Sequence, residues 1–156
     1  MSTFSIIPIA ESHLEEVASL ESLCFSEPWS ANALRLLLQN DGCGFVAVDA
    51  SRRVLGYGGM LIAPDEAQIT NIAVHPESRR LGVGRALLGA MIGEAKLRSL
   101  VQLSLEVRES NLAAIALYEA FGFFTAGKRK RFYRHPVEDG LVMLKQLNQT
   151  TETESE

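Results

Sequence analysis

The most constraining feature of this chain is a strand that ends against a glycine-bearing, arginine-rich turn and resumes as a helix. Gln68 to Val74 reads as a strand that stops at His75-Pro76, and apolar residues return at helical spacing from about Val83 to Leu97. Between them lies Arg79-Arg80-Leu81-Gly82-Val83-Gly84-Arg85. Glycine lets backbone come close to a ligand, and a helix N-terminus presents unsatisfied N–H groups carrying partial positive charge. With three arginines around that point an anion is the natural guest, and a pyrophosphate suits it better than a single carboxylate. A plain turn with solvated arginines is the alternative, and a bare Gly-x-Gly does not decide between them. Two other phosphate motifs are excluded. A Walker loop needs Lys then Ser or Thr after its second glycine, where Arg85-Ala86 stands, and a Rossmann turn needs glycine at Leu87.

Around this unit the chain reads as alternating strands and helices. Ser5–Ile9 is a short first strand, Ala10–Leu23 an amphipathic helix, and Pro28 a break. Ser30 is set to cap a second helix through Ala33 to Gln39, closed by Asn40-Asp41-Gly42. Strands follow at Gly44–Val48 and Val54–Ile62, separated by a turn at Ser51–Arg53, with another turn at Pro64–Glu66 before the strand already described. After the long helix come a strand at Val101–Val107, a helix at Asn111–Phe121 ending in Gly122, and strands at Phe123–Tyr133 and Leu141–Leu147. This order predicts an α/β protein with a mixed sheet flanked by helices, in one domain over 1–147, followed by a disordered acidic tail at 148–156. A length of 156 residues with 47% hydrophobic and 22% charged content suits one hydrophobic core.

Several ordered motifs resemble those of the GNAT acetyltransferases. Arg79-x-x-Gly82-x-Gly84 is similar to the family's acetyl-CoA signature, and Asn71-Ile72-Ala73-Val74-His75-Pro76 to the strand end before it. Leu105-Glu106-Val107-Arg108-Glu109-Ser110-Asn111 and Ala116-Leu117-Tyr118-Glu119-x-x-Gly122-Phe123 resemble the later motifs. Phe25-Ser26-Glu27-Pro28-Trp29-Ser30 resembles the F-x-x-PWS element of the ribosomal-protein-alanine N-acetyltransferases, the RimI type. The resemblance runs from about Leu20 to Leu147. It implies the GNAT fold: a mixed, mostly antiparallel sheet of about seven strands flanked by about four helices, with strands 4 and 5 parallel but splayed.

The resemblance further implies acetyl-CoA as co-substrate. Its pantetheine arm would pair with the strand edge at Ile72, Ala73 and Val74, and its pyrophosphate would sit on the backbone N–H groups of Arg80, Leu81, Gly82, Val83, Gly84 and Arg85. Asn111 would contact the pantetheine end, cap the following helix, or do both.

Acetylation of an amine needs a base for its proton and an acid for the departing thiolate. Glu106 is the candidate base. Leu103, Leu105 and Val107 share one strand face and Ser104 and Glu106 the other, so alternation by itself also allows a carboxylate facing solvent. The resemblance puts Glu106 in the cleft. Tyr118 is the candidate acid, protonated at neutral pH with a reference pKa of about 10, and core packing is its plain alternative. Trp29 and Tyr133 are the candidate substrate-binding residues. Arg131-Phe132-Tyr133-Arg134 departs from the paired tyrosines often seen at that place in RimI-type chains.

The remaining features narrow the partners. A formal net charge of -4 implies no general attraction to nucleic acid or to an anionic membrane, even though Lys128–Arg134 mixes basic and aromatic residues. His13, His75 and His135 are scattered, so no metal is expected. Cys24 and Cys43 lack CxxC spacing and read as reduced, small hydrophobes. The first residues lack a basic stretch and a long apolar stretch, so no signal peptide is expected, and no run offers the roughly 18 apolar residues of a membrane span. A cytoplasmic protein is expected, and the resemblance implies an enzyme acting on the N-terminal alanine of a basic ribosomal protein, that of the small subunit numbered eighteen. A small-molecule amine as acceptor and a non-catalytic acetyl-CoA-binding regulator are the alternatives.

Overall fold

The computed structural model describes residues 3–147, so the tail expected at 148–156 lies outside the described residues. In chain order the elements are β1 (Ser5–Pro8), α1 (Leu14–Cys24), α2 (Ala31–Leu34), β2 (Gly42–Val48), β3 (Val54–Ile62), β4 (Glu66–Val74), α3 (Val83–Leu97), β5 (Gln102–Arg108), α4 (Leu112–Ala120), β6 (Phe124–Tyr133) and β7 (Glu138–Gln146). The seven strands form one sheet in the order β1-β2-β3-β4-β5-β7-β6. Every neighbouring pair is antiparallel except β4 with β5. This is the mixed, mostly antiparallel sheet with four helices that the motifs imply.

One expected element is shorter than its pattern. Ser30 does cap α2, its Oγ accepting the Ala33 N–H at 3.1 Å, yet only Ala31–Leu34 is α-helical and Arg35–Leu38 tightens to a 3-10 turn. The chain has to turn at once into β2. Gly42 therefore opens a strand instead of closing a helix, packed so tightly that a Cβ on it would lie 2.0 Å from the Leu36 carbonyl oxygen.

Helices cover both faces of the sheet, and β3 shows how its alternation serves them. Gly56 and Gly58 face α3, where a Cβ on Gly56 would lie 2.8 Å from the Ala73 carbonyl oxygen and 2.9 Å from Val83 Cγ1, so glycine there lets the helix approach this closely. Tyr57 points the other way and packs with Val17 and Leu20 of α1. On the α3 side, Leu88 and Met91 join Tyr118 of α4 and Leu103, Leu105 and Met143 of the sheet in one buried cluster.

The β3–β4 ladder contains a bulge. Gly59 lies opposite Asn71 and Met60 opposite Ile69, which leaves Thr70 as an extra residue in β4, its hydroxyl donating to the Gly59 carbonyl at 3.1 Å. A bulge bends its strand. Among the described residues β4 pairs with β5 only at Glu66–Gln102, Ala67–Leu103 and Gln68–Ser104, and the pairing stops just before the bulge. Beyond it β4 stays with β3, β5 stays with β7, and a wedge opens between them.

Glu21 of α1 is fully buried beside this wedge. Its carboxylate accepts the Trp29 backbone N–H at 2.9 Å, Asn71 Nδ2 at 2.9 Å and the Tyr57 hydroxyl. All three partners are donors, so Glu21→Gln turns an amide N–H₂ toward at least one of them. The expected result is a loss of about 1–3 kcal/mol in unfolding free energy, read from urea denaturation. Tyr57→Phe, which removes one donor, should cost less.

Candidate active site

The wedge widens into a cavity of about 460 Å³. Gln68 to Ile72 of β4 and Leu105 to Arg108 of β5 form two walls, Asn111, Ala114 and Tyr118 a third, and Cys24–Glu27 with Trp29 and Tyr133 close the mouth. The alternation expected in β5 holds: Leu103, Leu105 and Val107 are buried, and Glu106 projects from the opposite face. Its side chain is only 16% exposed, so it is not a carboxylate facing open solvent. Gln68 Nε2 donates to Glu106 Oε1 at 2.8 Å, and Arg129 Nε lies 3.1 Å from Oε2.

Tyr118 is buried in α4, its ring 5.6 Å from that of Phe123, and its hydroxyl makes no hydrogen bond among the described residues. Burial, with a smaller contribution from Tyr133, pushes its pKa well above that of an ordinary phenol. Tyr118 therefore holds its proton at any pH near neutral. Tyr133 is half-buried and pushed up to about 12, first by burial and then by the nearby Glu106.

The phosphate-type turn lies at the far end of β4. Gly82 caps α3 in the left-handed conformation at φ 84°, and Arg80 before it has φ 68°. No side chain among the described residues caps this helix, so the first N–H groups of a 15-residue helix keep their hydrogen-bonding capacity for a ligand. A Cβ on Gly84 would stand 3.5 Å from Leu117 Cδ2 and 3.7 Å from Val74 Cγ2, which puts the helix start in a narrow gap between β4 and α4. These features fit a phosphate-bearing group. The three arginines do not all converge there. Arg79 turns back to donate to the Val74 carbonyl at 3.3 Å and toward Cys24 Sγ at 3.7 Å, while Arg85 stacks over Phe121 at 5.4 Å.

The expected site residues thus fall into two groups. Trp29, Ile72, Glu106, Asn111, Tyr118 and Tyr133 line the cavity. Arg80, Leu81, Gly82, Val83, Gly84 and Arg85 surround the start of α3, and Ala73 and Val74 run between the groups along the unpaired stretch of β4. Asn111 caps α4 by accepting the Ala114 N–H at 3.2 Å, and it also lines the cavity. Sequence reasoning did not single out Gln68, Arg129 or Arg108, whose contacts with the site depend on register across three strands. Arg108 lies in the same motif as Glu106 and Asn111. Among the described residues no group of three or more His, Cys, Asp or Glu side chains is arranged to hold a metal ion.

A central parallel pair that parts over an uncapped helix start marks an α/β protein whose cleft suits an extended, phosphate-bearing ligand. The profile of the Acetyltransferase (GNAT) family matches residues 14–123, from the start of α1 to just past α4, and the chain belongs to that family. A protein of Salmonella typhimurium named ribosomal protein bS18-alanine N-acetyltransferase is 36% identical over 147 residues, covering 92% of this chain and 96% of that one. The Escherichia coli K12 protein of the same name is 37% identical over 123 residues, 78% of this chain and 80% of its own. The crystal structure of the ribosomal-protein-S18-alanine N-acetyltransferase from Escherichia coli superposes with a TM-score of 0.88 at 31% identity, covering 97% of this chain and 99% of that one.

The environments of Tyr57, Tyr118 and Tyr133, the three tyrosines of the chain, set up a pH test. Burial raises the pKa of each, whereas in the unfolded chain a phenol titrates near about 10. A raised native pKa contributes stability that is complete below the unfolded value and is lost as pH climbs through the native one. Ultraviolet titration should show the native tyrosines ionising later than those of urea-unfolded protein, with folding stability falling between about pH 10 and 12. Tyr133→Phe should remove the earliest native ionisation. Coincident titration of native and unfolded protein would contradict the burial.

Proposed function

We propose that this chain transfers the acetyl group of acetyl-CoA to the N-terminal α-amine of a protein, the alanine that begins a small-subunit ribosomal protein, by direct attack in a ternary complex. The observation that carries this reading is that Glu106 and Tyr118 both line one cavity that begins where β4 and β5 part. Likeness to relatives named for that acceptor, over 92% of the chain in one case, supports the choice of acceptor. Residues 1–147 act as one domain in this reading, in the cytoplasm. No described helix is long and apolar enough to cross a membrane, which is compatible with that setting.

Acetyl-CoA supplies an activated acetyl thioester. The chain's own groups do the rest. Ile72, Ala73 and Val74 offer backbone amides on the unpaired edge of β4 to the amide-bearing arm of the cofactor, Asn111 meets the same arm, and Arg80–Arg85 offer N–H groups to its phosphates. Trp29 and Tyr133 flank the incoming acceptor. An amine must be neutral to attack. An N-terminal α-amine has a reference pKa of about 7.7–8.0 against about 10.4 for lysine, so a useful fraction of it is already neutral near pH 7.5. Glu106, oriented by Gln68 and Arg129, takes one N–H proton directly or through a water as the N–C bond forms. Tyr118 gives its proton to the departing sulfur as the C–S bond breaks, and regains one from solvent when the products leave.

Gly84→Leu tests the cofactor half of this reading. A Cβ is tolerated at Gly84 but a longer side chain fills the gap beside the α3 N–H groups. Acetyl-CoA affinity by calorimetry should fall about tenfold or more in a folded variant, and unchanged affinity would remove the helix start from the site.

A peptide that begins with alanine and carries downstream arginines should be acetylated at its first nitrogen, with internal lysines reacting far more slowly. Added salt should raise the peptide KM, because the chain is acidic and the peptide basic. Glu106→Gln should lower kcat/KM by about 10²–10⁴-fold, partly recovered at alkaline pH, and Tyr118→Phe should lose turnover without that recovery. Mass spectrometry of the products decides. The reading falls if such peptides stay unmodified while small diffusible amines turn over.

A further inference from the structure

Two loops distant in sequence face each other across the mouth of the cavity. One, Phe25–Trp29, follows α1, and the other, Arg134–Val137, joins β6 to β7. Both lie outside the sheet, so side chains have to hold them. Arg108, the last residue of β5, stands between them. Its Nη2 donates to Ser26 Oγ at 3.1 Å and to the Arg134 carbonyl at 3.0 Å. Its Nη1 donates to the Pro136 carbonyl at 3.0 Å and to the Glu138 carboxylate at 3.2 Å. The guanidinium also lies 4.5 Å from the centre of the Tyr133 ring. A second strut crosses the same gap, the Arg134 N–H donating to Glu27 at 2.9 Å.

The fork geometry matters. The two terminal nitrogens of an arginine carry four N–H bonds in one plane, and here they meet four acceptors on three segments. A lysine ammonium has three donors and no such plane. The Arg108 side chain is 22% exposed, and of its four bonds the one to Glu138 is partly buried.

The geometry points to Arg108 as the positioning residue that fixes the width of the acceptor entrance and thereby selects a small first residue. This inference rests on the reading of the cavity as the acceptor site. With the loops latched, Trp29 on one side and Tyr133 on the other form a mouth that cannot widen, so alanine's methyl group passes and a bulky side chain is refused by clash. Rejection of this kind needs rigid walls. An unlatched mouth still admits alanine, with looser placement, and loses the penalty against larger residues. A tie that serves stability alone would lower the amount of folded protein without altering the choice between acceptors.

The test compares two peptides identical except for alanine or leucine at the first position, with kcat and KM measured separately for the parent protein, Arg108→Met and Arg108→Lys. For Arg108→Met the alanine-peptide KM should rise about tenfold, the expected consequence of losing charge-assisted hydrogen bonds, while kcat changes by less than about threefold. The preference for alanine over leucine should fall about fivefold or more. Acetyl-CoA affinity by calorimetry should be unchanged, and Arg108→Lys should recover part of the preference. If Arg108→Met does not fold, the double variant Ser26→Ala/Glu27→Ala carries the test, since both residues are exposed and outside the core, and the preference should fall in the same direction. A folded variant of either kind that keeps the parent's preference overturns the inference. Failure of the parent protein to acetylate either peptide is a separate result, read without any variant, and removes the acceptor reading together with this one.

Discussion

Three backbone pairs hold β4 to β5, and the site is arranged around the place where they stop. The cause is local. Thr70 is one residue too many for the β3–β4 ladder, so β4 bends toward β3 and leaves β5 to follow β7. Two strand edges are then exposed inside the sheet, each with backbone donors and acceptors that lack a strand partner. Such groups must be met by water or by a ligand. A cleft of this kind suits an extended chain bearing amides, and the uncapped start of α3 at its end suits a phosphate. The bulge thus links strand geometry to the class of ligand the family uses.

The opposite side of the bulge carries a second constraint. Asn71, next to Thr70, donates to the buried carboxylate of Glu21, which also holds the Trp29 backbone and Tyr57. A buried carboxylate without a cation is tolerated only when donors surround it. Here those donors come from β3, from β4 and from the loop that bears Trp29, so that wall of the cavity is tied to the strand that bends. Arg108 makes the corresponding ties from β5 to the β6–β7 loop. Each strand that diverges at the wedge thus anchors one side of the mouth.

The two candidate proton-transfer groups occupy unlike surroundings in one cavity. Glu106 sits among polar partners, its carboxylate held by Gln68 and Arg129. Tyr118 sits among apolar neighbours that favour its neutral form as a donor.

Local patterns in the sequence determined a good deal. The strand, glycine turn and helix across Gln68–Leu97, the alternation over Leu103–Val107 and the caps at Ser30 and Asn111 are legible because each depends on neighbours within one or two turns. The motif order also pointed to the family. The tertiary structure alone decided the rest. Nothing in Ile69-Thr70-Asn71 marks a bulge, since a bulge is a mismatch between two strands. Glu21 reads as an ordinary charged helix residue, yet it is buried against Asn71, 50 positions away. Gln68 reaches Glu106 across 38 positions, and Ser26 reaches Arg108 across 82. The second helix stopped early because β2 begins so close behind it. Periodicity records which face a residue takes, whereas register and loop closure depend on segments that meet only once the chain has folded.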